Sequence, residues 1–293
     1  PDVVDDRARV VGGAHVQHDA GHLVEWIARR AQNRVHGQAR DVDDALILDL
    51  EDAVAPDAKE IARRQVAEAV AARGFGHREI VVRINGLSTP WGRDDLKALA
   101  AAKPDAVLVP KVDSAEEARA LSAALDEAGA APEVALWIMF ETPRAVLNAA
   151  TIGGAGGRLA CIVAGTNDLV KEFGGLHTPA REGLLPYLAL LLAAARANGL
   201  AALDGVYNDI QNAEGFAAAC AQGRALGFDG KTLIHPSQVE PCNAAFAPSE
   251  SEVADARKII AAFDLPENRA KGAISLDGRM VERLHAEIAA KVV

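Results

Sequence analysis

The chain has 293 residues, half of them hydrophobic and a quarter charged, a composition that excludes disordered and fibrous proteins and suffices for a large core. Asp and Glu outnumber Lys and Arg by 41 to 31, giving a net charge of −10, and aromatic residues make up only 4%. That balance excludes a nucleic-acid surface of basic patches and stacking rings. The longest apolar stretch, 184–195, contains Pro186 and is far shorter than the about 20 residues that cross a bilayer, so no membrane anchor is expected.

Residues 1–44 are compositionally unusual, with four of the eight histidines (His15, His18, His22, His36) and six arginines, and with only 8–11 as a weak strand candidate. They show no basic n-region followed by an apolar h-region, so the reading expects a cytoplasmic protein without a secretory signal. From residue 45 onward, short aliphatic runs alternate with alanine-rich amphipathic segments. The runs are 45–50, 79–84, 106–109, 134–140, 159–164, 200–203 and 231–234. They are nearly continuous in apolar character, as strands buried on both faces must be, and their starts lie roughly 25 to 40 residues apart, the length of a strand with its crossover helix. Seven such units predict an α/β (β/α)₈ TIM barrel over 45–247, with the missing strand inside the first 40 residues. An open doubly wound sheet would carry a glycine-rich fingerprint after its first strand, and none is present.

After Pro248 the pattern changes. Ser249 or Ser251 can cap a helix running to about residue 263, 265–278 reads as a connection, and a last helix is expected near 280–293. A segment outside a closed barrel needs a surface on which to bury Ile274, Leu276, Met280 and Leu284, which makes 248–293 a candidate lid or oligomerisation arm. Cys161, Cys220 and Cys242 form no CxxC pair and are odd in number, which argues for reduced thiols and against a thiolate zinc site.

Each apolar run ends in a polar residue: Asp49, Glu51 and Asp52, then Arg83 and Asn85, Lys111, Glu141, Asp168, Asp204 and His235. In a barrel these ends converge on one mouth, where barrel active sites lie. Glu141 and Asp168 end consecutive strands and can share a hard cation such as Mg²⁺, or each can cap the helix that follows. Arg83, at a buried strand end, needs an anion, either the Asp49/Glu51/Asp52 cluster or a substrate carboxylate. Alternation aims Asp49 and Glu51 to one side and Asp52 to the other, so the first two can support Arg83. Lys111 can hold an anion or stand solvated at the rim, and His235 can touch ligand or merely complete a turn. Lys231, in the turn segment GFDGK, is expected to point to the opposite end or to a neighbour. Trp26, Trp91 and Trp137 read as packing residues.

The stretches LILDLEDAV (46–54), VVRINGLSTPWGRDDL (81–96), VLVPKVDS (107–114), FETP (140–143) and VAGTNDL (163–169) occur in that order. LDGVYNDIQNAEGF (203–216), GFDGKTLIHPSQV (227–239) and GAISLDGRMVE (272–282) follow. Together they resemble the citrate lyase β-subunit-like branch of the HpcH/HpaI aldolase family. The resemblance implies a Mg²⁺-dependent barrel, trimeric or hexameric, that makes or breaks the carbon–carbon bond of a β-hydroxyacyl thioester such as malyl-CoA or citramalyl-CoA. It implies Glu141 and Asp168 as metal ligands, with Glu141 also near substrate, and Arg83 as the substrate-binding and catalytic arginine. It further implies Ile234 and His235 as substrate lining, and Glu282 as a catalytic acid supplied by a neighbouring subunit's tail. Two departures from the family pattern stand out. The acid is usually an aspartate followed two residues later by proline, whereas Glu282 is followed by Leu284. The opening strand of the family, roughly RSxLFVPG, has no match in 1–44. The expected activity is therefore a CoA-ester carbon–carbon lyase, with malyl-CoA thioester hydrolysis, a free-acid aldolase and an inactive scaffold as the alternatives.

Overall fold

In the computed structural model, the structure describes the backbone of Val24–Arg29 and all of residues 45–293. The aliphatic runs form seven parallel strands: β2 (Ala45–Asp49), β3 (Glu79–Arg83), β4 (Ala106–Val109), β5 (Ala135–Phe140), β6 (Leu159–Ala164), β7 (Ala201–Asp204) and β8 (Gly230–Leu233). Every expected run lies within about one residue of an observed strand. Continuous apolar character has its physical reason in the two faces of the curled sheet. Ala45, Ile47, Val81, Ala106, Leu108, Trp137, Met139, Cys161, Val163 and Leu203 pack together on the concave side. The alternate residues, among them Leu46, Leu48, Val82, Val107, Ile138 and Ile162, join the larger core under the surrounding helices.

The missing strand lies inside the first 40 residues, as expected, and its direction is corrected. The strand found in the early region, β1 (Val24–Arg29), pairs antiparallel with both β2 and β8, so the described residues show a seven-stranded parallel α/β sheet and not an eightfold βα repeat. The weaker candidate at 8–11 lies outside the described residues. Between the strands run α1 (Lys59–Ala72), α2 (Gly92–Ala102), α3 (Ala115–Glu127), α4 (Pro143–Leu147), α5 (Ala149–Gly153), α6 (Thr166–Phe173), α7 (Leu185–Ala197) and α8 (Ala213–Leu226). A short helix, α9 (Val239–Phe246), follows β8. Among the described residues no helix is long and apolar enough to cross a membrane.

The C-terminal segment differs from expectation in one element. Helix α10 (Glu250–Asp264) starts at Ser249 with a full capping box to Glu252. However, residues 279–282 are a strand and not helix. β9 (Ala273–Leu276) and β10 (Arg279–Glu282) make an antiparallel hairpin, and α11 (Arg283–Ala290) begins only after it. The turn residues Asp277 and Gly278 have φ of 52° and 77°, the paired left-handed geometry that Asp-Gly adopts in two-residue hairpins. Phe263, Ile274 and Val281 bury one another within this segment, backed by Ile259, Leu276 and Ala286. Ile274 therefore needs no outside surface, whereas Met280 (72% exposed), Leu284 and Ile288 face outward. Arg224 of α8 holds Glu252 of α10 at 2.7 Å.

A buried charge cluster joins two loops to the sheet. Asp204, at the end of β7, accepts from Arg181 at 2.7 and 2.9 Å and from Lys231 of β8 at 3.0 Å, and Lys231 also donates to the Gly205 carbonyl. Burial alone would raise the Asp204 pKa, but the two cations more than offset it and hold the carboxyl below its ordinary value. A group depressed in the folded state contributes stability above its unfolded pKa and loses it as pH falls through the folded one. Replacing Asp204 by Asn strands two buried cations, and is expected to cost about 3–5 kcal/mol in urea denaturation at pH 7. Wild type should lose part of this advantage below about pH 4. A D204N stability equal to wild type at pH 7 would overturn this account.

Candidate active site

Parallel pairing sets the site's first element. Asp49 and Arg83 are register partners in β2 and β3, so their side chains leave the sheet at one height and on one face. Arg83 donates to both oxygens of Asp49, Nε at 2.7 Å and NH2 at 2.6 Å, the bidentate geometry that suits a guanidinium to a carboxylate. Asp49 also accepts from the amides of Glu51 (2.8 Å) and Ala53 (3.1 Å). Burial pushes its pKa up, and Arg83 together with these amides brings it below the ordinary value. Glu51 lies 3.7 Å from Arg83 and its pKa is raised, by burial first. Asp52 is exposed, as alternation requires.

Glu141 follows β5 and is almost fully buried. Its Oε1 accepts from the Lys111 amide at 2.8 Å. Burial, followed by the negative charge of Asp168, pushes its pKa up to about 7. Asp168 sits in the first turn of α6, half-buried. The helix-capping alternative fails for Glu141, because α4 is capped by Thr142, whose hydroxyl accepts from the Ala145 amide at 3.0 Å. Asp168 is not the N-cap of α6, which is Gly165, but it does stand in the first turn of that helix, where the N-terminus favours an acid. Gly165 is there for space. A Cβ on it would overlap Oε2 and Cβ of Glu141 and lie 3.1 Å from its Cδ.

Two neighbouring carboxylates, one buried and electrostatically burdened by the other, are hard oxygen donors suited to a divalent cation that keeps other positions for water or substrate. Among the described residues there is no group of three or more His, Cys, Asp or Glu that could hold a metal ion unaided. That donor set fits Mg²⁺ and does not fit a closed structural zinc site.

Lys111 is an anchor at this mouth as well as a rim lysine. Its left-handed backbone (φ 54°), a conformation that costs a non-glycine residue about 1–2 kcal/mol, aims the amide at Glu141 while its ammonium reaches Glu51 at 2.9 Å. A cavity of about 340 Å³ opens beside it, with Glu51, Lys59, Asn85, Ser88 and Trp91 in its wall. Lys59 and Asp95 are site supports that sequence reasoning missed. The buried Lys59 ammonium donates to the carbonyls of Leu50 (2.8 Å) and Glu51 (2.7 Å) and to Asn85 Oδ1 (2.7 Å), and Asp95 accepts from Asn85 (2.7 Å) and Arg63 (2.6 Å). Lys59 falls on the stripe Lys59, Ala62, Val66 and Val70 that α1 buries, and a cation on an apolar stripe is the signal that could have found it.

Other expected residues lie elsewhere. Asp204 is corrected. Leu203 takes the inward position, so Asp204 turns outward against α8, where its Oδ2 would meet a Cβ on Gly223. His235 caps the 3₁₀ turn Pro236–Gln238 with Nδ1 against Ser237, and the Ile234 amide donates to Gln238. Glu282 is the N-cap of α11, with its amide bonded to His285 Nδ1 at 2.9 Å. Among the described residues no hydrogen bond or ion pair joins Glu282 to Arg83, Glu141 or Asp168. Of the tryptophans, Trp137 is buried in the concave core, and Trp91 carries the Lys59 ammonium 5.3 Å from its ring centre.

A curled parallel α/β sheet that brings an anchored arginine and two carboxylates to one rim defines an enzyme-type site, and sequence comparison gives its class. Residues 24–236 match the family model described as HpcH/HpaI aldolase/citrate lyase, and 186–293 match one described as a carbon–carbon bond lyase of the TIM-barrel fold. A (3S)-malyl-CoA thioesterase of Cereibacter sphaeroides is 48% identical over 256 residues, 87% of this chain and 86% of the relative. Citrate lyase subunit beta of Escherichia coli is 35% identical, over 82% of this chain and 81% of its own. The solved structure of CitE from Mycobacterium tuberculosis, in complex with magnesium, acetoacetate and coenzyme A, superposes with a TM-score of 0.69. It is 31% identical and is matched over 85% of this chain and 88% of its own. The chain belongs to the HpcH/HpaI aldolase/citrate lyase family, whose chemistry is that of carbon–carbon lyases.

The Gly165 contact yields a direct test of this geometry. Gly165→Ala is expected to displace Glu141 and weaken Mg²⁺ binding tenfold or more by calorimetric titration. Unchanged affinity would remove Glu141 from the ligand set.

Proposed function

We propose that this protein acts on a β-hydroxyacyl-CoA of the malyl-CoA type, with Mg²⁺ held by Glu141 and Asp168, and breaks or makes the bond between its α and β carbons. The observation that carries the reading is the convergence of Glu141, Asp168 and the Asp49-anchored Arg83 on one end of the sheet, in a chain whose relative with magnesium and coenzyme A bound is 31% identical. Held by Glu141 and Asp168, Mg²⁺ would supply positive charge that polarises oxygens of the substrate. Arg83, fixed on two sides by Asp49, faces the oxygen on which negative charge develops. In the cleavage direction Glu282 takes the β-hydroxyl proton, the Cα–Cβ bond breaks, and its electron pair becomes the thioester enolate. The same proton is then returned to carbon, giving acetyl-CoA and an α-keto acid. Glu282 would come from a second copy of the chain, with 248–293 as lid or oligomer arm, 45–247 as the barrel that carries the site, and 1–44 as an atypical leading segment that adds the strand Val24–Arg29 to its sheet. Ile234 and His235 would line the substrate.

Thioester hydrolysis is the second reading, favoured by the 48% identity to the (3S)-malyl-CoA thioesterases. There, water adds to the thioester carbonyl, the CoA thiol leaves, and malate is released. Malyl-CoA and citramalyl-CoA, offered with Mg²⁺ and with excess chelator, separate the two. Metal-dependent keto acid with acetyl-CoA is the expected outcome, free thiol with malate transfers the assignment to hydrolysis, and no turnover of either ester overturns both. Glu282→Gln should lower turnover by a factor of 100 or more and change Mg²⁺ affinity less than twofold. Undiminished turnover would reject Glu282 as the proton carrier.

A further inference from the structure

Lys111 touches two acids of the mouth through two different parts of itself. β4 ends at Val109, Pro110 follows, and Lys111 takes a left-handed turn. The amide it turns inward meets Glu141 Oε1 at 2.8 Å, and the side chain crosses the rim to Glu51 Oε1 at 2.9 Å. The second oxygen of Glu51 stands 3.7 Å from Arg83 NH1, outside hydrogen-bond range. Glu51 is thus a carboxylate between two cations, hydrogen-bonded to Lys111 and at ion-pair distance, without a hydrogen bond, from Arg83. Its side chain is 11% exposed while that of Lys111 is 48% exposed, so a lysine still half in water reaches a largely buried acid.

We propose that Lys111 is a positioning residue: its ammonium holds Glu51 off the Arg83 guanidinium, while its amide orients Glu141, so that the arginine and the carboxylate pair keep a fixed relation across the mouth. The inference deepens the function proposed above and rests on that reading for its kinetic arm alone. Without the ammonium, Arg83 is the described cation nearest to the Glu51 carboxylate, since Lys59 is bonded to the Glu51 carbonyl. Attraction then draws the acid onto the guanidinium and disturbs its two bonds to Asp49. The amide contact to Glu141 belongs to the backbone and survives a change of side chain.

Lys111→Met removes the charge and keeps the length, and Lys111→Arg restores the charge. The crystal structure of K111M should show Glu51 within hydrogen-bond distance of Arg83 and the amide still on Glu141. With malyl-CoA, kcat of K111M should fall tenfold or more while Mg²⁺ affinity changes less than twofold, K111R should recover to within threefold of wild type, and K111M/E51Q should fall no further than E51Q. Glu51 unmoved in K111M overturns the proposal, as does an unchanged kcat. Multiplying losses in the double variant also overturn it, because Lys111 would then act on substrate directly. If K111M does not fold, K111Q takes its place in each measurement. Wild type inactive on malyl-CoA would overturn the reaction assigned above, and the position of Glu51 in K111M would still decide the role of Lys111.

Discussion

The bidentate pair between Arg83 and Asp49 is the constraint from which the rest of the mouth follows. A guanidinium and a carboxylate, both largely withdrawn from water, must satisfy each other or be lost. Their register in adjacent parallel strands satisfies both without any loop having to fold first. The loop after β2 can then wrap Asp49 with the amides of Glu51 and Ala53, and Lys59 tethers that loop's carbonyls from beneath. Each later contact of the mouth is built on atoms that the sheet has already placed.

Buried charge appears a second time on the other side of the sheet, in the Arg181, Asp204 and Lys231 cluster, and the contrast is instructive. Around Asp49 the charges face the rim, where a substrate could meet them. Around Asp204 they are sealed between the sheet and α8, joining β7 and β8 to the loop before α7. The difference is one step of strand alternation, since Asp49 continues the inward series of Ala45 and Ile47 whereas Asp204 follows the inward Leu203.

Much of this was legible before any coordinates. The seven parallel strands could be read because burial on both faces leaves only aliphatic residues between their polar ends, and Arg83, Glu141 and Asp168 could be read from those ends. Three things could not be read from the apolar runs. β1 carries Glu25 and Arg29 within its six residues and runs antiparallel, so it lacks the continuous aliphatic signature of its neighbours. The hairpin at 273–282 was announced by Asp277-Gly278, but each of its strands has only four residues and buries a single side chain, Ile274 or Val281, too short a run for alternation to show. Asp204 looked like another mouth residue because a sequence records where a strand ends and not which face its last residue takes. Lys59 was hidden for a related reason, since an isolated cation shows its importance only when the carbonyls it must meet are known.

The fit of Glu141 against Gly165 also limits how this chain can change. Any residue larger than glycine at 165 collides with the acid, and any displacement of the acid loosens its bond to Lys111. The strand ends are therefore a closed region of sequence space, in which one accepted change would demand several others at once. Substitution meets less resistance in segments whose side chains stand apart from that lock, such as Leu87 to Thr89 beside the 340 Å³ cavity or the outward face of the C-terminal hairpin and helix. The packing at the strand ends is fixed as a unit, and room for change lies around it.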